Sequence, residues 1–300
     1  MERISLDFVE RVVNLLSYDG FQMVYNGYYR VCKDEKDNRN ASAFSRLSRP
    51  WPKAAASLKE CCVYISDDDV YSIHEVEKSN MHQGYKCLSE VDIQSWDPRK
   101  HVVREISISR RRLCACYPTC ERRLSADVLR RLQKILGQNQ RPVNITYRSF
   151  LSPEETKVGE NLDQLLPAIH GIGLLEVSSG FGSHMSRLLE KPVNFLDPRI
   201  SSVSAIRRET LVIQIVEAMK KGLLRGWNLG GYLSHYSYQK MIGAILDVHE
   251  ERPPKCFCSG RTEPFSSEFT KRLLEIEERW KALPGNHEIR WTDSGFRYVH

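Results

Sequence analysis

The segment from Leu174 to His184 carries the residues whose types and spacing are best suited to chemistry. A predicted strand runs through Glu176 into Gly180-Phe181-Gly182 and then into a short helix. Glycines at such a turn let a ligand approach the backbone, and the N-terminus of the following helix favours anionic or polar groups. Asp197 follows at the end of the next predicted strand. The arrangement predicts either a cofactor site or an ordinary glycine turn of a strand–helix unit.

The same segment resembles the first motif of class I S-adenosylmethionine-dependent methyltransferases. The resemblance rests on Glu176, Gly180 and Gly182, and Asp197 stands where that family often places an acid for the ribose hydroxyls. It implies S-adenosylmethionine as a cofactor bound by these four residues. Ser178 stands where the family usually has glycine, and no later strand carries a second acid for the adenine. We therefore keep the methyltransferase as the alternative hypothesis.

Three thiols, Cys114, Cys116 and Cys120, lie close enough in sequence to hold zinc, with Cys87 or His101 as a fourth ligand. Structural zinc sites use pairs of ligands separated by two to four residues, and no clear second pair is present. Buried cysteine is common as a small apolar residue. We expect no metal site here.

Seven arginines form a cluster that could meet phosphates or an acidic protein surface. They are Arg110, Arg111, Arg112, Arg122, Arg123, Arg130 and Arg131. Only Tyr117 lies near them to stack on a base, so we expect a solvated basic face and no nucleic-acid partner.

The nine histidines are scattered, and the sequence lacks a Gly-x-Ser-x-Gly elbow, a phosphate loop and a His-Glu-x-x-His helix. No complete catalytic constellation is predicted, which favours a binding protein over an enzyme.

Alternating strands and helices dominate the sequence after Ser125. Each strand is followed by one helix, at a spacing of roughly 20 to 35 residues, which is typical of a repeat architecture. We predict an α/β fold of irregular βα repeats with a degenerate leucine-rich-like curved sheet. A doubly wound α/β sheet is the alternative, and it would reverse the strand order after the strand at Leu174. The strand centres lie near Ile145, Leu174, Phe195, Asn228, Phe257 and Ile289.

Capping residues mark several of the helices that separate these strands. Ser125 begins a helix that Gly137 is predicted to end, and Gly222 follows a long helix over 204–221. A further helix over 267–280 places Phe269, Leu273, Ile276 and Trp280 on one face. Before Ser125 the pattern is weaker, and it predicts strands over 63–65, 70–73 and 101–109.

The composition is that of a globular protein with a core, because 41% of the residues are hydrophobic and 27% are charged. The net charge of +6 permits an acidic partner without requiring one. We find no secretory signal and no apolar run that approaches the length of a membrane span. The nine cysteines are odd in number and irregularly spaced, so reduced thiols are expected. We predict a cytoplasmic or nuclear protein that does not enter membranes.

The first residues are apolar on more than one face of a predicted helix. The run from Ile4 to Leu16 resembles the start of a divergent F-box-like family expanded in nematodes, although Ser5-Leu6 stands where a standard F-box has Leu-Pro. The segments 47–55 and 280–291 resemble the family's tryptophan-lysine helix and its closing strand. A helix with apolar residues on several faces is also typical of one packed in the protein's own core.

The F-box resemblance implies a division of the chain and a set of partners. Residues 1–60 would form an F-box-like helical segment, and residues 61–300 an α/β repeat-like interaction domain. The chain would then be a protein-interaction module, the substrate receptor of a Skp/cullin-type ubiquitin ligase, with no cofactor. The helix would dock on a Skp-type adaptor through Leu6, Phe8, Val9, Val12 and Val13.

Overall fold

The computed structural model places most of the chain after residue 57 in two compact units. The first contains described residues up to 143 together with 160–171, and the second contains 144–159 together with those from 172 onward. The F-box-like segment predicted over residues 1–60 lies almost entirely outside the described residues. These are 58–66, 69–78, 85–109, 122–139, 141–148, 157–178, 183–199, 205–229, 243–244, 246–250, 253, 256–260, 266–284, 288–292 and 295–299.

The first unit is built on a mixed sheet of five strands, β1 to β5. β1 pairs with β4 in parallel and with β2 in antiparallel orientation, and β2 also pairs with β3. The two residues of β5 pair with the first two residues of β2. The strands are β1 (Lys59–Ser66), β2 (Val70–Lys78), β3 (Tyr85–Glu90), β4 (His101–Ser109) and β5 (Arg122–Arg123).

Apolar side chains at alternate positions of β1 form the centre of the first unit's core. Cys61, Val63 and Ile65 are buried, and Val63 lies between Ile73 of β2 and Ile106 of β4 in the register. Because alternate residues of a strand point to the same face, this row must lie against the core. β1, β2 and β4 confirm the strands predicted there, and the first two are longer than predicted.

The helix predicted after Ser125 is α1 (Ala126–Gln138), and its end differs from the prediction. The Ser125 hydroxyl accepts a hydrogen bond from the Val128 N–H at 3.3 Å, as a capping residue should. The helix continues past Gly137 to Gln138. Asn139 ends it, because its amide group donates to the carbonyl oxygens of Val103, at 3.1 Å, and Arg141, at 3.0 Å. A tertiary hydrogen bond, rather than glycine, fixes this boundary. The next helix is α2 (Lys157–Leu165).

The second unit contains the alternating part of the chain, and it confirms the α/β class with a mostly parallel sheet. Its strands follow the order β6-β7-β8-β9-β10-β12-β11. β7 to β10 are parallel, whereas β10, β12 and β11 are antiparallel. The elements are β6 (Val143–Arg148), β7 (Ile172–Ser178), α3 (Ser183–Leu189), β8 (Val193–Arg199), α4 (Ala205–Lys220), β9 (Gly226–Leu229), β10 (Cys256–Gly260), α5 (Ser267–Lys281), β11 (Glu288–Thr292) and β12 (Gly295–Val299).

The strand order bears on both predicted architectures. From β6 to β10 every strand lies beside the strand that follows it in sequence, which is the order of a repeat array. A doubly wound sheet would place the strand after β7 on the opposite side of the first strand. No such reversal occurs from β6 to β10, whereas the order does reverse within the first unit, where β1 lies between β2 and β4. The sequential order therefore describes the strands from β6 to β10 and not the whole sheet.

The same backbone hydrogen bond recurs where successive strands begin. The Val143 N–H donates to the Gly171 carbonyl at 3.0 Å, and the Ile172 N–H donates to the Pro192 carbonyl at 2.8 Å. The Val193 N–H donates to the Leu223 carbonyl at 2.7 Å. In each case the first residue of one strand is bonded to the connection that leads into the next strand. The array therefore repeats in its hydrogen bonding, although no sequence consensus repeats with it.

The end of α4 confirms the predicted role of Gly222. This residue has a φ of 69°, a left-handed conformation that costs glycine little. Its N–H bonds to the Met219 carbonyl at 2.8 Å, and the Leu223 N–H bonds to the Ala218 carbonyl at 2.9 Å. These two bonds form a Schellman motif. The motif orients the backbone so that the Leu223 carbonyl can accept the hydrogen bond from the Val193 N–H.

α5 packs on the second unit through the four residues predicted to share a face, Phe269, Leu273, Ile276 and Trp280, all of which are buried. The Trp280 indole N–H donates to the His249 carbonyl at 3.0 Å, and the His249 ring stacks on Trp227 with centroids 5.1 Å apart. This contact ties the last long helix to the segment before β10.

A membrane span was not expected from the sequence. Among the residues that the structure describes, no helix combines the length and the apolar character needed to cross a bilayer.

Candidate functional site

Two buried carboxylates lie side by side in the second unit. Glu176 of β7 and Asp197 of β8 are direct partners in the parallel register. Only 5% of Glu176 and 3% of Asp197 is exposed. Neighbouring strands lie about 4.8 Å apart, so the two side chains leave the sheet on the same face close together. The sequence predicted both residues as site residues, and the structure brings them together.

The electrostatics of this pair limit what it can do. Two carboxylates at such spacing and burial must be held by hydrogen-bond donors or cations, since an uncompensated buried charge costs several kcal/mol. Both residues take part in polar interactions within the protein. Carboxylate oxygens accept from hydroxyl groups and bind cations, so the pair is chemically suited to a polyhydroxylated or cationic group. The two acids alone do not form a catalytic constellation.

The glycine turn that completes the predicted cofactor site, Gly180 to Gly182, lies outside the described residues. The chain is described again at α3, where the His184 side chain is buried. The imidazole of His184 packs directly on the backbone of Gly159 in α2. The structure therefore places two of the four predicted cofactor ligands, Glu176 and Asp197, and it leaves Gly180 and Gly182 unplaced.

The strand order around the acid pair bears on the methyltransferase hypothesis. In open α/β sheets a ligand crevice forms where the strand order reverses, because the connections on either side then run in opposite directions. β6, β7, β8 and β9 run in unbroken sequence on both sides of the pair. A crevice of that kind is not generated by these strands.

The predicted adaptor-binding residues Leu6, Phe8, Val9, Val12 and Val13 lie outside the described residues, as do Cys114, Cys116 and Cys120. Cys87 and His101, the two candidate fourth metal ligands, can be compared. Cys87 is on β3 and His101 begins β4, and β1 and β2 lie between those strands. Three strand spacings separate them by about 14 Å. Within the described part of the chain, no group of three or more metal-ligating side chains is placed to hold an ion.

The described cysteines have the properties of core residues. Cys61, Cys62 and Cys87 are buried free thiols, and the Tyr64 hydroxyl lies 3.9 Å from the Cys87 sulfur. Burial raises the pKa of Cys61 to about 12, with Glu75 adding to the effect. Burial also raises the pKa of Cys62 well above its usual range. Because the thiolate is the nucleophile and the metal ligand, the raised pKa values make Cys61 and Cys62 poor candidates for either role.

The described arginines of the cluster are exposed, and three of the four are paired with polar groups of the same unit. Arg122 forms ion pairs with Glu90 at 3.2 Å and Asp92 at 3.1 Å. Arg130 pairs with Asp127, and Arg131 donates to the Gln94 side-chain oxygen. Arg110, Arg111 and Arg112 lie outside the described residues. The described arginines therefore present less free positive charge than their number implies.

A polar cluster that the sequence did not reveal lies between the strands of the first unit and the end of α1. Arg141 is buried beside Glu60, with 3.7 Å between guanidinium and carboxylate, and Glu60 also pairs with Arg104. The Asn139 amide donates to the Arg141 carbonyl. Arg141 follows a helix in a polar stretch, and no periodic signal marks it as buried. We assign this cluster a structural role.

Comparison with known proteins adds no assignment: no family model, no curated protein and no solved structure matches this chain. The class that the fold defines is an α/β protein with a mostly parallel central sheet.

Proposed function

We propose that this chain is a protein-interaction module and acts as the substrate receptor of a Skp/cullin-type ubiquitin ligase. Residues 1–60 dock on a Skp-type adaptor through the apolar residues of the first helix, and residues 61–300 hold a protein substrate. The cytoplasm or the nucleus is the compartment that this role requires. The docking residues are Leu6, Phe8, Val9, Val12 and Val13.

The observation that carries the proposal is the sequential strand order from β6 to β10. Arrays that add one strand and one connection at a time build extended surfaces, which suit the binding of other proteins. A reversal beside β7 and β8 would instead favour a crevice for a small cofactor at Glu176 and Asp197. The adaptor role rests on the resemblance of residues 4–16 to the F-box-like family, which is an argument from likeness.

The test measures binding of the full-length chain to a purified Skp-type adaptor. We expect micromolar or tighter binding, and a loss of at least tenfold for Phe8→Glu. Leu274→Glu is the matched control, because Leu274 lies on α5 with 46% of its surface exposed. Circular dichroism shows whether both variants remain folded. Absence of binding by the unmodified chain contradicts the proposal, and so does equal loss in the two variants.

A second candidate is the S-adenosylmethionine-dependent methyltransferase, and the observation that favours it is the register pairing of Glu176 with Asp197. Calorimetry with S-adenosylmethionine separates the two proposals. Saturable micromolar binding that Gly180→Val abolishes supports the methyltransferase. Absence of heat, together with adaptor binding, supports the interaction module.

A further inference from the structure

The turn that leads into β4 is closed by reciprocal hydrogen bonds between Asp97 and His101. The Asp97 carbonyl accepts from the Lys100 N–H at 3.0 Å and from the His101 N–H at 2.8 Å. The Asp97 N–H in turn donates to Nδ1 of His101 at 3.1 Å. The Asp97 carboxylate accepts from the Arg99 N–H at 3.0 Å. The side chain of His101 is therefore part of the turn that positions its own backbone.

The protonation state of His101 follows from the identity of the donor. A backbone N–H can only donate, so Nδ1 must carry a lone pair in the closed turn. A protonated imidazole has an N–H on both ring nitrogens. Placing that N–H against the Asp97 N–H would bring two donors together. The closed turn and a proton on Nδ1 are thus mutually exclusive.

Closure of the turn also holds Trp96 in place. The Trp96 and His101 rings lie with centroids 5.1 Å apart at an interplanar angle of 40°, and Trp96 is half-buried. The segment before Trp96 is anchored elsewhere, because Asp92 caps the short helix Ile93–Ser95 and pairs with Arg122. One end of the 92–101 connection is therefore held by an ion pair, and the other end is held by the His101 imidazole.

We propose that the Asp97–His101 turn is a proton-sensitive switch, closed over Trp96 by neutral His101 and opened when Nδ1 takes up a proton. Opening frees the Trp96 ring at the surface of the first unit. Opening of the turn also affects the start of β1, because the Lys59 N–H donates a hydrogen bond to the Lys100 carbonyl at 2.7 Å. The inference concerns the first unit alone and does not depend on the proposed function.

The charged groups around His101 set the pH at which the switch acts. Lys59 comes from β1, Glu75 from β2, and Asp97 and Lys100 from the turn itself. Burial lowers the pKa of His101, and Lys59 lowers it further, whereas Asp97 and Glu75 act in the opposite direction. An unperturbed histidine titrates near a pH of about 6.5. Opening is therefore expected below that pH, and the closed turn is expected at neutral pH.

The test follows hydrogen exchange of the Asp97 amide by NMR in the full chain at pH 7.5 and 5.5, corrected for intrinsic rates. We expect at least tenfold more protection at pH 7.5. His101→Gln supplies a side-chain oxygen that accepts a hydrogen bond without titrating, so protection should persist at pH 5.5. His101→Phe supplies no acceptor, so protection should be absent at both values.

The matched control is His170→Gln, because His170 is exposed and contacts the Gly137 carbonyl in another part of the first unit. It should leave the pH dependence of Asp97 unchanged. Equal protection at both pH values in the unmodified chain overturns the proposal. Loss of protection in His101→Gln at pH 5.5 overturns it as well, because that loss would come from another titrating group.

Discussion

Gly159 in α2 and His184 in α3 approach so closely that a Cβ atom on Gly159 would collide with the imidazole of His184. The His184 ring therefore occupies the space that any larger residue at position 159 would need. Glycine is a poor helix former, and its presence inside α2 is explained by this contact rather than by helix stability. The contact positions α3, which follows Gly180 and Gly182 in the sequence.

Replacing Gly159 with alanine should destabilise the protein, because His184 must move or the helices must separate. We expect a loss of about 1–3 kcal/mol, the usual cost of overpacking. Chemical denaturation measures the free energy of unfolding. Gly137→Ala is the matched control, since nothing lies within 4 Å of a Cβ atom there. That change should stabilise by up to about 1 kcal/mol through helix propensity. Equal effects at the two positions would contradict the close contact.

Truncation of Leu132 tests whether α1 packs on the core through its predicted face. Leu132 is completely buried, so Leu132→Ala should lower the free energy of unfolding by about 2–5 kcal/mol. Leu274→Ala, on an exposed position of α5, should change it by less than about 0.5 kcal/mol. The same denaturation experiment reports both. A small effect at Leu132 would mean that this face of the helix is not in the core.

Stability should decrease in mild acid, and His74 should contribute to that decrease. Burial lowers the pKa of His74, and Glu90 opposes the effect. The folded state then binds a proton less readily than the unfolded chain. Stability contributed by the neutral ring is therefore present above pH of about 6.5 and is lost as pH falls towards the lowered pKa. Urea titrations between pH 7.5 and 5.5 measure this slope.

His74→Phe separates the contribution of His74 from that of other groups. Phenylalanine keeps a ring beside Tyr64, whose centroid lies 5.6 Å from that of His74, and it cannot take up a proton. The variant should show a shallower dependence of stability on pH, whatever its stability at pH 7.5. An unchanged slope would assign the acid sensitivity to other residues.

Cys61, Cys62 and Cys87 should resist alkylation in the folded protein at pH 8. All three thiols are shielded from the reagent by burial, and burial also raises the pKa of Cys61 to about 12 and the pKa of Cys62 well above its usual range. Labelling with iodoacetamide, followed by peptide mass spectrometry, should show slow reaction at these three positions. The same peptides should label completely in denaturant. Rapid labelling of Cys62 in the native state would contradict its burial.

Local sequence signals predicted the elements after Ser125 because each element carries its own pattern. The cap at Ser125 and the glycine after α4 are chemical signals that act within one turn of chain. β3 was missed, because Cys87 is the one side chain clearly buried among its described residues, and an edge strand needs no alternation. The end of α1 was misplaced, because it is set by Asn139 bonding to β4.

In the candidate site, too, the individual residues can be recognised from the sequence, whereas their partners are set by the tertiary fold. Glu176 and Asp197 were recognisable as strand-end acids, but their pairing depends on β7 lying next to β8, which the sequence does not state. Arg141 gave no signal, because a buried arginine is explained by Glu60, a partner far away in the chain. The sequence does not indicate the 97–101 turn for a related reason, because the role of His101 depends on the Asp97 N–H facing its ring.

The hydrogen bonds that begin β6, β7 and β8 have a consequence for how such a chain can vary. Each bond holds the first residue of one strand to a residue that leads into the next strand, so the register of the strands is set where the strands begin. The residues in between can differ in number without shifting the strands against each other. Insertions and deletions in the connections should therefore be tolerated far better than any change in the few residues at which each strand begins.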